Sequence, residues 1–198
     1  MKYYFTSLVF LLILSSITSC SSPNQTKKTE TADEFSLSDD YYEFKGLSLK
    51  EYDIPCMIML PDETANIGAA TKPDITHIEG DFIWDISLGN NFNLHIEDYG
   101  DYTDLVDYKR KELTKQDIFK INYLVEEKDL LVYERKLIVK GSKNASPKVG
   151  IEHKSYHVYG QKTINGITYE FRSREEGYEQ KRIISLMAKT IKSVEEIK

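Results

Sequence analysis

The chain has four histidines, and two of them have a spacing that could support metal chemistry. His153 and His157 lie four residues apart, which on a helix would place both rings on one face as a metal-binding pair. The Ile, Tyr and Val residues around them instead alternate as in a β-strand, where four residues span about 13 Å. That distance is too long for one zinc ion. We therefore interpret both histidines, and likewise His77 and His95, as ordinary polar strand residues.

A run of aspartates offers a second candidate for metal chemistry. Asp98, Asp101, Asp104 and Asp107 recur at every third position of the stretch DYGDYTDLVD. A calcium loop of the EF-hand kind needs ligands at alternate positions and a closing Glu at the twelfth, so this spacing does not match. Acidic residues at the start of a helix, with Asp101 or Thr103 as its cap, explain the run without a metal ion.

The two cysteines have different surroundings. Cys56 lies among Ile54, Met57 and Ile58, which predicts a small buried side chain and not a reactive thiol.

The sequence contains no G-x-S-x-G, Walker, G-x-G-x-x-G, H-E-x-x-H or C-x-x-C motif. We therefore expect no catalytic residues, no metal site, no cofactor and no enzymatic activity. The net charge of −6 also argues against nucleic acid as a partner.

The N-terminal residues have the layout of a secretory signal, which we assign to residues 1–19. Lys2 supplies a positive start, Phe5 to Leu14 form an apolar run, and Ser15 to Ser19 are mostly small residues that lead to Cys20. A membrane-spanning helix needs about 20 mostly apolar residues, roughly twice the length of this run. The pattern therefore predicts an address signal and not a membrane span.

The end of that signal, Ile17-Thr18-Ser19-Cys20, resembles the lipobox of bacterial lipoproteins. The resemblance implies that Cys20 receives a diacylglycerol thioether, that cleavage occurs just before it, and that the new amino group is acylated, for example with palmitate. The acyl chains would make membrane lipid a partner of the protein. Ser21 follows the cysteine, and by resemblance to the enteric sorting rule it favours the outer membrane of the cell envelope over the inner one.

The rest of the chain divides into a tether and a domain. Residues 20–40 are rich in Ser, Thr, Asp, Glu and Lys, which predicts a flexible tether. Residues 41–198 are long enough for a single domain with its own core.

Alternating apolar residues predict the strands of this domain. Phe82, Trp84, Ile86 and Leu88 are expected to share one strand face. A second strand has the same pattern at Phe92, Leu94 and Ile96. Asn165-Gly166, between two alternating runs, predicts a type I′ hairpin.

Two stretches change to a helical period. In the middle of the chain, Leu105, Val106 and Leu113 predict one buried stripe, extended by the stems of Tyr102 and Lys109. At the end, a helix is expected from about Arg174 to Ile197. A capping box of Ser173 and Glu176 would begin it, and Ile183, Met187, Ile191 and Val194 would form its apolar face.

These elements predict an α+β fold: eight or nine strands in a mostly antiparallel sheet, with one central and one C-terminal helix packed on it. The Leu60-Pro61 pair and the Met187–Ser193 stretch MAKTIKS are similar to features of PsbP/Mog1-like α+β sandwiches. That resemblance implies a binding or assembly role.

We therefore expect a membrane-anchored envelope lipoprotein with a non-enzymatic role that binds a protein partner. The alternative is a binder of a small ligand or lipid in a groove between the sheet and the terminal helix, which predicts a pocket of several hundred Å³. The chain has 14 tyrosines, and several of them exposed in one patch would favour a ligand that stacks on aromatic rings. An enzyme would instead show clustered titratable residues with perturbed pKa values in a cleft, and such a cluster around His153 or His157 would reverse this ranking.

Overall fold

The described part of the chain contains ten strands and two α-helices, where the sequence predicts eight or nine strands. The computed structural model describes residues 35, 37, 38, 40–67, 72–78, 80–138 and 153–197, all within one compact unit. The α+β class and the mostly antiparallel sheet are confirmed, since every strand pair in this part of the chain is antiparallel. In chain order the elements are β1 Phe44–Ser48, β2 Cys56–Pro61, β3 Asp74–His77, β4 Ile83–Leu88, β5 Phe92–Asp98, α1 Leu105–Thr114, β6 Phe119–Glu126, β7 Leu130–Leu137, β8 Lys154–Ile164, β9 Ile167–Ser173, α2 Lys181–Lys192 and β10 Glu195–Glu196.

The strands form two sheets. Seven of them pair in the order β3-β4-β5-β9-β8-β7-β6, and β1, β2 and the short β10 form a separate three-stranded sheet. The β8–β9 connection is the predicted tight hairpin, because Asn165 and Gly166 have φ angles of 50° and 83°. Positive φ at both turn residues is what a type I′ turn requires, so this prediction is confirmed.

The two helices contact opposite faces of the seven-stranded sheet. Ile184 and Met187 of α2 belong to a large apolar cluster that contains Leu130 and Val132 of β7. Leu113 of α1 belongs to a smaller cluster with the intervening β7 residues Leu131 and Tyr133. Because successive strand residues point to opposite faces, the two clusters lie on the two sides of the sheet. Helix α2 also contacts β2, so it lies between the two sheets.

Most predicted core positions are confirmed, with one error at a strand end. Trp84, Ile86 and Leu88 are buried, and so are Phe92, Leu94 and Ile96. Phe82 was expected on the same buried face, but it precedes the first residue of β4 and is 66% exposed. The apolar alternation in the sequence begins at Phe82, but the buried part of this strand begins only at Trp84.

Both helices begin later than the sequence pattern predicts. Tyr102 lies outside α1 and is exposed, and the N-cap is Asp104, without a side-chain hydrogen bond, instead of Asp101 or Thr103. The predicted capping box at Ser173 is also wrong, because Ser173 ends β9 and its Oγ accepts a hydrogen bond from the Val158 amide at 3.2 Å.

The delay of α2 has a structural cause in the backbone that precedes it. After β9 the backbone makes a turn at Glu175 and Glu176, and Tyr178 then pairs with Tyr156 as a β-bridge, so the helix cannot begin before Tyr178. Helix α2 therefore covers Lys181–Lys192, and the two-residue strand β10 takes the place of the predicted final turn.

Contact with the core begins before the predicted start of the domain near Tyr41. Phe35 and Leu37 pack against the large apolar cluster. Lys189 of α2 donates from Nζ to the Asp40 carbonyl oxygen, and its ammonium lies 5.1 Å from the centre of the Tyr41 ring. The segment just before the first strand is therefore held against α2.

Candidate functional site

A cleft of about 510 Å³ lies between α1 and the sheet face that α2 does not cover. Helix α1 forms one wall, and strands β5, β7, β8 and β9 form the floor. The alternative binding groove was predicted at the terminal helix, but this cleft lies at the central helix. Smaller cavities of about 280 Å³ and 170 Å³ border α2, whereas this larger one lies beside α1, which covers only part of one sheet face.

Strand alternation delivers the polar side chains to this cleft. On β9, Phe171 points into the apolar core, so its neighbours Glu170 and Arg172 point to the other face. On β7, Val132 lies in the core and Tyr133 and Arg135 line the cleft. The same strands therefore carry an apolar face and a charged face.

Glu170 is the buried carboxylate of the cleft, with 5% of its surface exposed. The Tyr159 hydroxyl donates to its Oε2 at 2.5 Å, and Arg172 Nε donates to its Oε1 at 2.9 Å. Burial, followed by the charge of Glu170, raises the pKa of Tyr159 far above its ordinary value, so the hydroxyl stays a donor. Each oxygen of this buried carboxylate thus has a hydrogen-bond donor.

A polar row continues from Glu170 across β5 and β4. His95 Nδ1 lies 2.9 Å from Asp85 Oδ1, and its Nε2 lies 3.7 Å from Glu97 Oε2. Burial and the nearby Glu170 and Glu97 raise the pKa of Tyr99 to about 12. This end of the cleft is therefore acidic, and its carboxylates already have partners in the protein.

His157 lies at the opposite end of the cleft and is buried. Its ring stacks on Tyr133 with centroids 5.1 Å apart, and Nε2 lies 2.8 Å from Ser155 Oγ. Gly177 covers the ring edge: a Cβ there would lie 2.5 Å from Cε1, and the backbone has a φ of 74°. Burial, then the charges of Arg135 and Lys109, lower the pKa of His157 to about 3. The imidazole is therefore neutral at pH 7.

The perturbed pKa values in this cluster all favour neutral side chains. The pKa of His157 falls, while burial raises the pKa values of Tyr133 and Tyr159. A general acid or base works best when its pKa is close to the operating pH, and these groups are displaced away from it. The arrangement offers neutral hydrogen-bonding groups and aromatic walls, which suits binding better than proton transfer.

The histidines do not form one site. His157 was interpreted as an ordinary strand residue, but the structure buries it in the cleft, while His153 is exposed just before β8. His77 stacks on Trp84, with ring centroids 4.7 Å apart, and His95 pairs with Asp85. No group of three or more His, Cys, Asp or Glu residues could hold a metal ion within the described ranges.

The candidate aspartates and Cys56 make contacts that stabilise the fold and do not form a site. The carboxylate of Asp98 accepts from the Gly100 amide at 2.7 Å, and Asp107 pairs with Arg110 on α1. Cys56 is fully buried, as predicted, and burial raises the pKa of its thiol to about 12. A thiol with so little thiolate at neutral pH is a poor nucleophile.

The charged residues that define the cleft were not predicted from the sequence. Glu170 and Arg172 alternate with apolar residues in the stretch ITYEFRS, whereas Arg135 stands between the charged residues Glu134 and Lys136. That alternation was a signal for a polar sheet face, but no local pattern showed which faces would meet α1.

The lipobox, Cys20 and the predicted signal peptide lie outside the described residues, as do residues 139–152. Within the described part of the chain, no helix has both the length and the apolar character to cross a bilayer. Comparison with known proteins found no matching family model, no matching curated protein and no matching solved structure.

Proposed function

We propose that this protein is a lipid-anchored lipoprotein of the cell envelope whose α+β domain binds a small ligand in the cleft beside α1. The observation that carries the binding role is the cleft itself. Its volume of about 510 Å³ falls within the range of small-molecule sites. Four tyrosines and three aliphatic side chains line it together with eleven polar or charged ones, so it is more polar than the usual small-molecule site and suits a polar ligand.

The cleft moves our preference from a protein partner to a ligand. A pocket of several hundred Å³ was the expected mark of a ligand binder, whereas a cluster of perturbed titratable residues around His153 or His157 was the expected mark of an enzyme, and both features occur in this cleft. The neutral state of His157 and Tyr159 favours binding over catalysis, so we propose no enzymatic step.

The anchor in this proposal is Cys20, supported by the resemblance of Ile17–Cys20 to a lipobox. Two or three acyl chains would hold the domain stably at a membrane, with the outer membrane favoured. Metabolic labelling with a fatty-acid analogue tests this: Cys20→Ala should abolish the label and leave the precursor uncleaved. Label that survives the substitution contradicts the assignment.

A protein partner remains a second candidate because of one surface feature. Ile78, Phe82 and Ile83 are exposed beside β3, the edge strand of the seven-stranded sheet. Exposed apolar side chains at a sheet edge are suited to protein contacts. Crosslinking in intact cells should capture one protein that Phe82→Ser no longer captures, if this face binds a partner.

The ligand-binding proposal is tested by blocking the cleft. Glu112 and Lys111 are adjacent exposed residues of α1, and only Glu112 lines the cleft. We expect compounds that raise the melting temperature of the full chain to lose that effect in Glu112→Trp and to keep it in Lys111→Trp. A hit that acts equally on both variants binds elsewhere, and a complete absence of cleft-dependent hits rejects the proposal.

A further inference from the structure

We infer that the cleft binds an oxyanion, the carboxylate or phosphate group of a small organic ligand, at the guanidinium of Arg135. This inference rests on the proposed binding function and specifies the ligand class. It comes from the unequal pairing of charges at the two ends of the cleft.

Two of the cations that line the cleft already have carboxylate partners. Lys109 Nζ lies 3.0 Å from Glu112 Oε2, and Arg172 Nε lies 2.9 Å from Glu170 Oε1. In each pair the two opposite charges largely neutralise each other. Neither cation therefore attracts a charged ligand strongly.

Among the residues that the structure describes, Arg135 has no carboxylate partner. A guanidinium carries five N–H donors, and among the described residues only Nη2 has an acceptor, the Glu175 carbonyl oxygen at 3.1 Å. The Nε atom is buried without a hydrogen-bond partner. A buried donor of this kind costs free energy until an acceptor arrives. The guanidinium also lies 4.5 Å from the centre of the Phe119 ring, which holds its plane in place.

A second unpaired cation lies at the same end. Arg174 is exposed, donates from Nε to the Gly177 carbonyl oxygen at 2.9 Å, and stacks over Tyr178. In the described part of the chain it makes no ion pair with a carboxylate, and the exposed Glu175 contacts Arg135 through its backbone carbonyl and not through its carboxylate. The positive charge of Arg135 also contributes to the lowered pKa of His157.

The acidic end is distant from this position. Arg135 is opposite Ser155 on β8, while Glu170 is opposite Gln161 on the same strand. Six residues of strand span about 20 Å. Tyr159 and Arg172 are the partners of Glu170 at its own end, so in the described part of the chain Glu170 does not neutralise Arg135.

A second orphaned atom adds to the ligand's description. Gln116 lines the cleft, and its Oε1 is buried without a hydrogen-bond partner. A buried acceptor normally has a hydrogen-bond donor, and a donor group on the ligand would supply it. The ligand class is therefore a small organic acid or phosphate monoester that also carries a hydroxyl or amino group.

The test uses the full chain with Cys20→Ala and three probes of similar size: phenyl phosphate, phenylacetate and neutral 2-phenylethanol. We expect one or both anions to shift the NMR signal of the Arg135 Nε–H group, identified by its loss in Arg135→Gln. Arg135→Gln should weaken anion binding at least about tenfold, as the loss of a hydrogen bond to a charged group does. Arg182→Gln, which removes the same charge outside the cleft, should leave the affinity unchanged.

A second variant covers the case in which Arg135→Gln does not fold. Glu175→Gln removes a negative charge next to the proposed anion and should tighten anion binding. Preference between phenyl phosphate and phenylacetate identifies the oxyanion. Anion affinity that is equal in wild type and Arg135→Gln, or no anion binding by the folded wild type, overturns the inference. If 2-phenylethanol alone binds, and Glu112→Trp blocks it, the binding function stands and only the oxyanion inference falls.

Discussion

The two faces of the seven-stranded sheet are built from the same strands but have opposite characters. The face toward α2 is apolar and sealed, with residues such as Ile86, Leu94 and Phe171 fully buried. The face toward α1 carries Asp85, His95 and Arg172 at neighbouring register positions. Strict alternation thus gives one set of strands an apolar face on one side and a polar, charged face on the other.

The difference between the two helices explains the difference between the faces. Helix α2 contacts both sheets, so its residues from Ile183 to Ile191 are nearly all buried, with exposed area left mainly at its ends. Helix α1 buries only Leu105, Val106 and Leu113. A helix that covers part of a sheet leaves a groove at its margin, and the cleft occupies that position.

The largest effect is expected on the sealed face. Phe171→Ala should lower the free energy of unfolding by about 3–5 kcal/mol, because it removes a fully buried ring and leaves a cavity. Urea unfolding measures this loss. Tyr108→Ala, at a position on α1 that is 70% exposed, should change the free energy by no more than about 0.5 kcal/mol. Similar losses in the two variants would contradict the contrast between the faces.

The next effect concerns the buried histidine of the open face. Folding lowers the pKa of His157 from 6.5 to about 3. As the pH drops below about 6.5, His157 therefore becomes protonated in the unfolded chain but stays neutral in the folded chain. Stability should therefore fall with pH in that window. Between pH 7 and pH 5, His157 should contribute a loss of about 2 kcal/mol.

His157→Gln provides the comparison, because it cannot take up that proton. Urea unfolding at both pH values should show a smaller loss for the variant, and the difference isolates His157 from the carboxylates. Equal losses in the two proteins would mean that His157 titrates normally and that this end of the cleft is open to water.

A smaller effect is expected for the buried carboxylate. Tyr159→Phe removes the donor to Glu170 Oε2 and leaves Arg172 as the remaining partner, so stability should fall by about 1–2 kcal/mol. Tyr102→Phe, at an exposed position, is the matched control. A loss of the same size in both variants would show that the hydrogen bond contributes nothing specific.

The smallest effect is expected at the rim of the cleft. Lys109→Gln breaks an ion pair with the exposed Glu112, which contributes at most about 0.5 kcal/mol in water. Thermal unfolding at low and high salt should show a small difference that disappears with salt. A loss that salt does not change would place Lys109 in a drier environment than its contacts indicate.

Several local features were predictable because they depend on neighbours in sequence. The buried faces of β4 and β5 follow from alternation, and the Asn165-Gly166 turn follows from the backbone freedom of those two residues. The boundaries of α2 were not predictable in this way. Its start depends on the bridge between Tyr156 and Tyr178, a contact between separate elements.

The sequence by itself determined the α+β class, the strand faces, the hairpin and the burial of Cys56, because period, turn chemistry and apolar neighbours are local properties. Only the tertiary structure decided which polar faces meet. It brought Arg135 and His157 to one end of a cleft and Glu170 to the other, from three different strands. The pairing order of a sheet is set by long-range packing. Charged residues that lie far apart in the chain therefore come together in one cleft only when the strands assemble.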